Sequence, residues 1–170
     1  MGLFEKRFTE PQIAVKIAGC DEHREFAQKV TKQCFITRKG KWPDTFSMKN
    51  TSVWLIKSER NSLSHLKERL KDFRVFETEL ADEIVFIPDM SELGNLAVIT
   101  DLKPMAWQKK YLFPYAVKNA IEQQFQNKEH LLISCGNPYI GDDVKHLKNF
   151  VCTFNSGIMA QEEIVRRLNI

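Results

Sequence analysis

Short apolar runs alternate with amphipathic stretches along most of this chain. Continuous runs lie at residues 52–57, 96–100, 131–133 and 150–154, and polar or turn-forming residues bound each of them. Runs of this length, with apolar side chains on both faces, are typical of strands buried inside a parallel sheet. The pattern therefore predicts a sheet that is covered by further layers on both sides.

Apolar residues at helical spacing fill the intervals between these runs. Asp21 is predicted to cap a helix over residues 24–32, with Phe26, Ala27 and Val30 on one stripe. The same spacing predicts three more helices: one through Leu63, Leu66 and Leu70, one that begins at Pro114 and continues through Val117, Ala120 and Ile121, and one over residues 158–168.

The alternation of strand and helix predicts an α/β fold: a three-layer α/β/α sandwich with a mostly parallel sheet, flavodoxin-like in style. A further strand is predicted at residues 34–37. Two weaker runs, at residues 73–76 and 83–87, compete for another place in the sheet. The connection between the runs at 131–133 and 150–154 is long enough for a crossover between parallel neighbours.

Composition narrows the functional classes. Hydrophobic residues make up 43% of the 170 residues and charged residues 28%, which is ordinary for a soluble globular protein. The 25 basic and 22 acidic residues are interleaved, and this balance does not indicate a nucleic-acid partner. The four cysteines include no C-x-x-C pair and predict buried thiols in a reducing, cytoplasmic setting. Apolar runs fall far short of the roughly 18 residues that indicate a membrane span.

Motifs for cofactors and metals are not found in the sequence. It has neither of the glycine-rich phosphate-binding loops, no G-x-S-x-G elbow and no H-E-x-x-H pair, so neither cofactor nor metal is expected. Two groups of charged residues remain as candidates. Four carboxylates are expected near the carboxyl ends of strands, where two of them could form an acid–base pair or all could cap helices and be solvated: Glu59, Asp89, Asp101 and Asp142. A basic turn either binds an anion or is solvated: Arg38, Lys39 and Lys41.

The most distinctive turn follows the run at 131–133. Gly136 permits a tight exit from a strand, Asn137 can bond neighbouring backbone, and Pro138 stiffens the turn that presents Tyr139. This turn is either a rigid strand-to-helix connection or a loop shaped to meet a ligand or another domain.

Two parts of the chain together resemble a known family. Residues 2–5 (GLFE), 21–27 (DEHREFA) and 34–36 (CFI) resemble the entry to the second domain of glycoside hydrolase family three. Residues 132–139 (LISCGNPY), 150–156 (FVCTFNS) and 161–163 (QEE) resemble the latter half of that domain, most closely in its β-N-acetylglucosaminidase, or β-N-acetylhexosaminidase, branch. A departure lies at residues 38–43, where the family usually has K-N and a leucine-rich L-P-L stretch.

The resemblance implies a carboxyl-terminal α/β sandwich over residues 21–170, preceded by an interdomain linker segment at residues 1–20 that packs on it. In the family, the nucleophilic aspartate and, in this branch, the acid/base histidine lie on an amino-terminal barrel, so neither is in this chain. In the β-glucosidase branch the second domain supplies an acid/base glutamate, but no glutamate here matches that motif. Asn137, Pro138 and Tyr139 are the residues that the resemblance places on a loop facing the barrel or the substrate.

The function predicted on this basis is non-catalytic. The chain would support or complete a barrel that hydrolyses terminal N-acetylglucosamine, with no cofactor, and the isolated chain would be inactive. Its partners would be the barrel of the same parent protein and possibly glycan at the domain junction, with no nucleic acid or membrane. The alternatives are a stand-alone flavodoxin-like domain that binds a small ligand or regulates, and a hydrolase that is active by itself.

Overall fold

The computed structural model describes residues 20–42, 46–59, 61–80, 85–90, 94–102 and 113–170. Within these ranges six strands and four helices follow one another, in chain order: α1 (Asp21–Gln33), β1 (Ile36–Lys39), β2 (Thr51–Lys57), α2 (Ser64–Arg69), β3 (Val75–Glu79), β4 (Asn95–Asp101), α3 (Tyr115–Asn127), β5 (His130–Ser134), β6 (Phe150–Cys152) and α4 (Ile158–Leu168).

The strands form one sheet in the order β1-β6-β5-β4-β2-β3. Strands β2 to β6 pair in parallel, and only β1, at one edge, runs antiparallel to its neighbour β6. The predicted α/β fold with a mostly parallel sheet is thus confirmed. The weaker run at 73–76 supplies edge strand β3, whereas residues 85–87 are not in a strand and residues 83–84 lie outside the described residues.

Helices cover both faces of the sheet, so its central strands are buried throughout. All seven residues of β2 are buried, and they alternate between two cores. Val53 and Leu55 pack into a core shared with α2 and α4, whereas Trp54 and Ile56 pack into a core shared with α3. The indole Nε1–H of Trp54 donates to the hydroxyl of Thr78 at 2.8 Å, so the ring is buried with its polar atom satisfied.

Helix α1 differs from its prediction in two ways. It begins at Asp21, with Cys20 at the N-cap position, so Asp21 lies in the first turn instead of capping the helix. Its apolar stripe is not buried: the side chain of Phe26 is 68% exposed and Val30 is also exposed, whereas Thr31 is buried. The helix packs on α4 through the face that carries Thr31. Periodicity alone does not identify which face of a peripheral helix packs on the rest of the protein.

His130, the first residue of β5, is buried against α3 and has both ring nitrogens engaged. Its ring stacks on Phe125 with centroids 4.0 Å apart. Nδ1 lies 2.8 Å from the carbonyl oxygen of Lys128, and Nε2 accepts the backbone N–H of Lys148 at 2.9 Å. Nδ1 must therefore carry the proton that it donates. Burial lowers the pKa of His130 from its ordinary value of 6.5, and the nearby charges of Lys148 and His146 act in the same direction.

We expect the protein to lose stability as pH falls below 6.5, because the unfolded chain takes up a proton at His130 before the folded chain does. The contribution is complete above pH 6.5 and disappears as pH falls through the lower folded-state pKa. Urea unfolding at pH 7.5 and pH 5 measures it. His130→Gln should flatten this part of the pH profile, whereas His23→Gln, on exposed α1, should leave it unchanged. Equal pH slopes in both variants would contradict the assignment.

No helix in the described ranges is both long and apolar enough to cross a bilayer.

Candidate functional site

The carboxyl ends of the five parallel strands meet at one edge of the sheet, which we call the carboxyl edge. Open α/β sheets generally place their ligands at this edge. The pairing register aligns one residue from each strand into a row, because Lys57 pairs with both Glu79 and Asp101, and the next residues beyond β5 and β6 continue the line. The edge row comprises Glu79, Lys57, Asp101, Cys135 and Thr153.

Two charged residues of this row, Lys57 and Glu79, form an ion pair within the fold. The Lys57 side chain is only 7% exposed, and its Nζ lies 2.7 Å from Glu77 Oε2 and 3.4 Å from Glu79 Oε1. Lys67 also pairs with Glu77. Burial opposes ionisation of Glu77, but the hydrogen bonds from the two lysines outweigh it and lower the pKa of this carboxyl. The network therefore joins β2 to the edge strand β3 and to the end of α2.

The cysteines near the edge are not nucleophiles. Burial raises the pKa of the Cys135 thiol to about 12, and the charge of buried Asp101 raises it further, although a hydrogen bond with Thr153 opposes the shift. Burial also raises the pKa of Cys152. Because the thiolate is the reactive form, both side chains remain protonated and unreactive at neutral pH. Both are free and buried, as the sequence predicted, whereas Cys20 and Cys34 are free but only partly buried, so the prediction of burial is wrong for these two.

The four candidate carboxylates do not gather at one edge. Glu59 and Asp101 lie at the carboxyl ends of β2 and β4, as expected. The expectation is wrong for Asp89, which lies near Lys128, just before β5, at the opposite edge. The segment 85–90 runs back along the sheet from the end of β3, since the Lys128 Nζ donates to the carbonyl oxygen of Met90 at 2.7 Å.

The remaining carboxylate contacts the basic turn. Asp142 lies in the connection after β5, with Oδ1 3.7 Å from Arg38 Nη2. The Nζ of Lys39 donates to the carbonyl oxygen of Gly141 at 3.3 Å. Two of the three basic side chains proposed for anion binding are therefore engaged by the connection between β5 and β6.

In the turn that follows β5, some residues hold the backbone in place and one side chain is exposed to solvent. Gly136 has φ of +149°, and an added Cβ would lie 3.3 Å from the carbonyl oxygen of Leu102. Asn137 is buried; its Oδ1 accepts the N–H of Tyr139 at 3.0 Å, and its carbonyl accepts the hydroxyl of Ser134 at 2.6 Å. Pro138 is partly buried. Tyr139 is 64% exposed, so it is the side chain of this turn that is most open to contact by another molecule.

We expect Asn137→Ala to lower the free energy of unfolding by about 1–2 kcal/mol, because the partly buried N–H of Tyr139 loses its acceptor and a buried side chain is removed. Tyr139→Ala should change it by less than about 0.5 kcal/mol, as is usual for exposed side chains. Chemical denaturation of both variants measures the difference. A larger loss in Tyr139→Ala than in Asn137→Ala would show that the two roles are assigned the wrong way round.

A second turn held by side-chain hydrogen bonds joins β6 to α4. Phe154 has φ of +58°, and its side chain is 45% exposed. The hydroxyl of Thr153 donates to the carbonyl of Asn155 at 2.7 Å, and Asn155 Oδ1 accepts the N–H of Gly157 at 2.9 Å. Sequence reasoning treated this segment as the end of a strand and missed its turn. The letters N-S-G after an apolar run were the available signal.

Gln161 connects this turn to α2 on the neighbouring part of the sheet. Its Nε2 donates to the carbonyl of Ser156 at 2.6 Å, and its Oε1 accepts the N–H of Leu66 at 2.7 Å. Its side chain thereby fixes the start of α4 relative to α2.

Two pockets lined by described residues lie away from the edge row. A groove of about 210 Å³ lies between α1 and α4, and its lining includes Gln28, Lys32 and Glu162. A cavity of about 310 Å³ lies where β2, β3 and β4 begin, at the opposite edge. No three His, Cys, Asp or Glu side chains of the described residues are placed to hold a metal ion.

Comparison with known proteins finds similarity of fold only. No family model matches the sequence, and no curated protein matches it. Among solved structures, the β-glucoside phosphorylase BglX superposes with a TM-score of 0.70 and 17% identity over 96% of this chain and 32% of its own. A glycoside hydrolase family 3 β-N-acetylglucosaminidase from Paenibacillus sp. str. FPU-7 does so with a TM-score of 0.57 and 12% identity, over 88% of this chain and 30% of its own.

A β-glucosidase from Erythrobacter marinus also matches, with a TM-score of 0.61 and 11% identity over 98% of this chain and 31% of its own. This chain thus has the fold of a domain found in glycoside-active enzymes, and it spans about a third of their length. Glucoside-active and N-acetylglucosaminide-active enzymes both share the fold, which does not separate the two branches.

Proposed function

We propose that this chain is the non-catalytic carboxyl-terminal α/β sandwich of a family-three-like glycoside hydrolase, where it docks on a catalytic barrel and supports it. One observation carries the proposal. The fold covers 88–98% of this chain in each comparison, but only 30–32% of each matched enzyme. A chain of this kind is therefore expected to work beside a larger catalytic part.

The chemistry of the edge row supports a non-catalytic role. Glycoside hydrolysis with retention requires two groups on either side of one bond, about 5 Å apart when both are carboxyls. Glu77 and Glu79 are instead bound to the buried Lys57, and Cys135 is held protonated. These groups stabilise the sheet edge, and the bond-breaking groups are assigned to the barrel.

We further propose that the parent enzyme acts on terminal N-acetylglucosamine. This rests on the sequence resemblance at residues 132–139 and 150–156 to the β-N-acetylglucosaminidase branch. Residues 1–20 are proposed as the interdomain linker; all but Cys20 lie outside the described residues. Asn137, Pro138 and Tyr139 are proposed to form a loop facing the barrel, with Tyr139 as its contact residue.

The alternative of a stand-alone ligand-binding domain has less support. An anion bound at the basic turn would favour this alternative, but the side chains of Arg38 and Lys39 contact Asp142 and the Gly141 carbonyl instead.

Co-expression tests the proposed function directly. We expect the chain to form a 1:1 complex with a family-three barrel from the same genome, measured by size-exclusion chromatography with light scattering. The complex should release chromophore from an aryl N-acetylglucosaminide faster than from an aryl glucoside. If no barrel from that genome binds the chain, the proposal is wrong. A preference for the glucoside would overturn only the assignment of substrate.

A further inference from the structure

A cavity of about 310 Å³ lies where the chain enters β2, β3 and β4, at the edge of the sheet opposite the edge row. We call it the amino-edge cleft. Cavities of this order that combine apolar walls with a few polar side chains are typical of sites for small molecules. The lining of the cleft includes Met48, Asn50, Ser52, Asp72, Phe73 and Arg74.

Ser52 carries a buried hydroxyl that the described part of the fold does not use. Only 6% of the residue is exposed. It pairs with Leu96 of β4 on one side, and on the other side the carbonyl oxygen of Arg74 accepts the N–H of Val53 at 2.9 Å. Among the described residues none forms a hydrogen bond with the Ser52 hydroxyl, although Ser52 lines the cleft. A buried hydroxyl without a partner costs free energy, and a ligand in the cleft would supply the partner.

Two side chains of opposite charge also line the cleft. Asp72 and Arg74 flank Phe73 just before β3 begins. The Arg74 guanidinium lies over the ring of Phe76, 5.3 Å from its centroid, and forms no ion pair with a described carboxylate, Asp72 included. Asp72 likewise pairs with no cation of the described residues. Met48 and Phe73 are both partly buried and supply an apolar wall. The cleft therefore presents one cation, one anion and an apolar surface together.

The backbone around the cleft is fixed by close contacts. Asn50 has φ of +55°, a conformation that asparagine adopts more readily than most residues. A Cβ at Gly94 would lie 2.5 Å from the backbone oxygen of Asn50, so the two segments approach this closely only because residue 94 is glycine. The same oxygen accepts the N–H of Asn95 at 3.1 Å, and the Thr51 hydroxyl donates to the carbonyl of Ser47 at 2.8 Å. A site held in this way spends little free energy on ordering itself when a ligand binds.

We propose that the amino-edge cleft binds a free α-amino acid with an apolar side chain. The Arg74 guanidinium pairs with the carboxylate of this ligand, which also accepts a hydrogen bond from Ser52, and Asp72 pairs with its ammonium group. Met48 and Phe73 contact its side chain. The two charges of the cleft select a zwitterion, because Asp72 would repel a simple anion and Arg74 a simple cation. This inference is independent of the proposed function and goes beyond it.

Titration calorimetry of the full chain with L-leucine and L-phenylalanine tests the inference. N-acetyl-leucine lacks the ammonium charge and leucinamide lacks the carboxylate, so each should bind at least about tenfold more weakly than leucine. Arg74→Met and Asp72→Asn should each raise the Kd for leucine at least about tenfold. Both side chains are exposed, so thermal unfolding of these variants should stay close to that of the unmodified protein. Arg69→Met is the matched control: Arg69 is an exposed residue at the end of α2, outside the lining of the cleft, and its replacement should change the Kd less than twofold.

If neither amino acid binds, the inference is wrong. Equal Kd values for leucine and its two blocked forms would also overturn it, because the ligand would then not be recognised as a zwitterion. A Kd that neither Arg74→Met nor Asp72→Asn changes would show that binding takes place elsewhere on the chain. If N-acetylglucosamine binds instead of leucine, with a Kd that Arg74→Met raises, the cleft takes a neutral sugar and the proposed class of ligand is wrong.

Discussion

Replacing Lys57 with methionine should lower the free energy of unfolding by about 2–4 kcal/mol, because it removes the buried cation that neutralises two carboxylates. Methionine keeps the volume of the aliphatic stem, so the loss reports on charge more than on packing. Glu77 and Glu79, two residues apart on the same face of β3, would then be left without the Lys57 ammonium between them. Urea unfolding at pH 7 measures the change.

Lys67→Met is the matched control for this variant. Lys67 also pairs with Glu77, but its side chain is 56% exposed, and exposed ion pairs contribute at most about 1 kcal/mol. Each variant removes one positive charge that pairs with the carboxylate of Glu77. Equal losses of stability would show that burial of the Lys57 ammonium contributes nothing, and that the edge row is an ordinary surface network.

Glu163→Gln should destabilise the protein by about 2 kcal/mol, because a buried carboxylate that holds two arginines is lost. The side chain of Glu163 is only 5% exposed. Oε1 lies 2.6 Å from Arg166 Nη2 and 2.7 Å from Arg167 Nε. Arg167 also stacks over the ring of Phe35 and donates to the carbonyl of Lys32, so the cluster joins α4 to the end of α1.

This cluster also predicts the acid limit of stability. Hydrogen bonds from Arg166, ahead of those from Arg167, lower the pKa of Glu163 from its ordinary value of 4.5 to about 2. The folded carboxylate therefore stabilises the protein fully above pH 4.5, and the contribution is lost as pH falls from 4.5 towards 2. Denaturation between pH 3 and pH 7 should show a smaller loss in Glu163→Gln than in the unmodified protein.

Glu162→Gln serves as its control. Glu162 is the neighbouring residue on α4, is 61% exposed and lies 3.8 Å from His65. Its replacement should change stability by less than about 0.5 kcal/mol and should leave the acid profile unchanged. An acid profile that responds to Glu162 and not to Glu163 would contradict the ion-pair geometry.

The central part of the fold was predictable because burial on both faces leaves a continuous apolar run. The runs at 52–57, 96–100 and 131–133 and the first three residues of the run at 150–154 became interior strands, and helix α3 begins at Tyr115, one residue after the predicted start at Pro114. The periphery was less predictable. A short edge strand has no such signal for its direction, and the apolar stripe of α1 gave no sign that it would stay in solvent.

The candidate site was less accessible to sequence reasoning than the fold, because it depends on register. Lys57, Asp101 and Cys135 are far apart in sequence and become neighbours only when strand pairing aligns them. Asp89 was misplaced for a related reason: following a strand in sequence does not fix the edge at which a residue lies. Local turns were easier to predict from residue types, since Gly136 and Asn137 do form the tight turn that they indicate.

The most direct test of the account is a chromogenic assay of the purified chain by itself. With an aryl N-acetylglucosaminide or an aryl glucoside, we expect no turnover above the buffer blank, and turnover only after a barrel from the same genome is added. Hydrolysis by the chain alone that a single Asp or Glu substitution abolishes would contradict the claim that this domain lacks the bond-breaking groups.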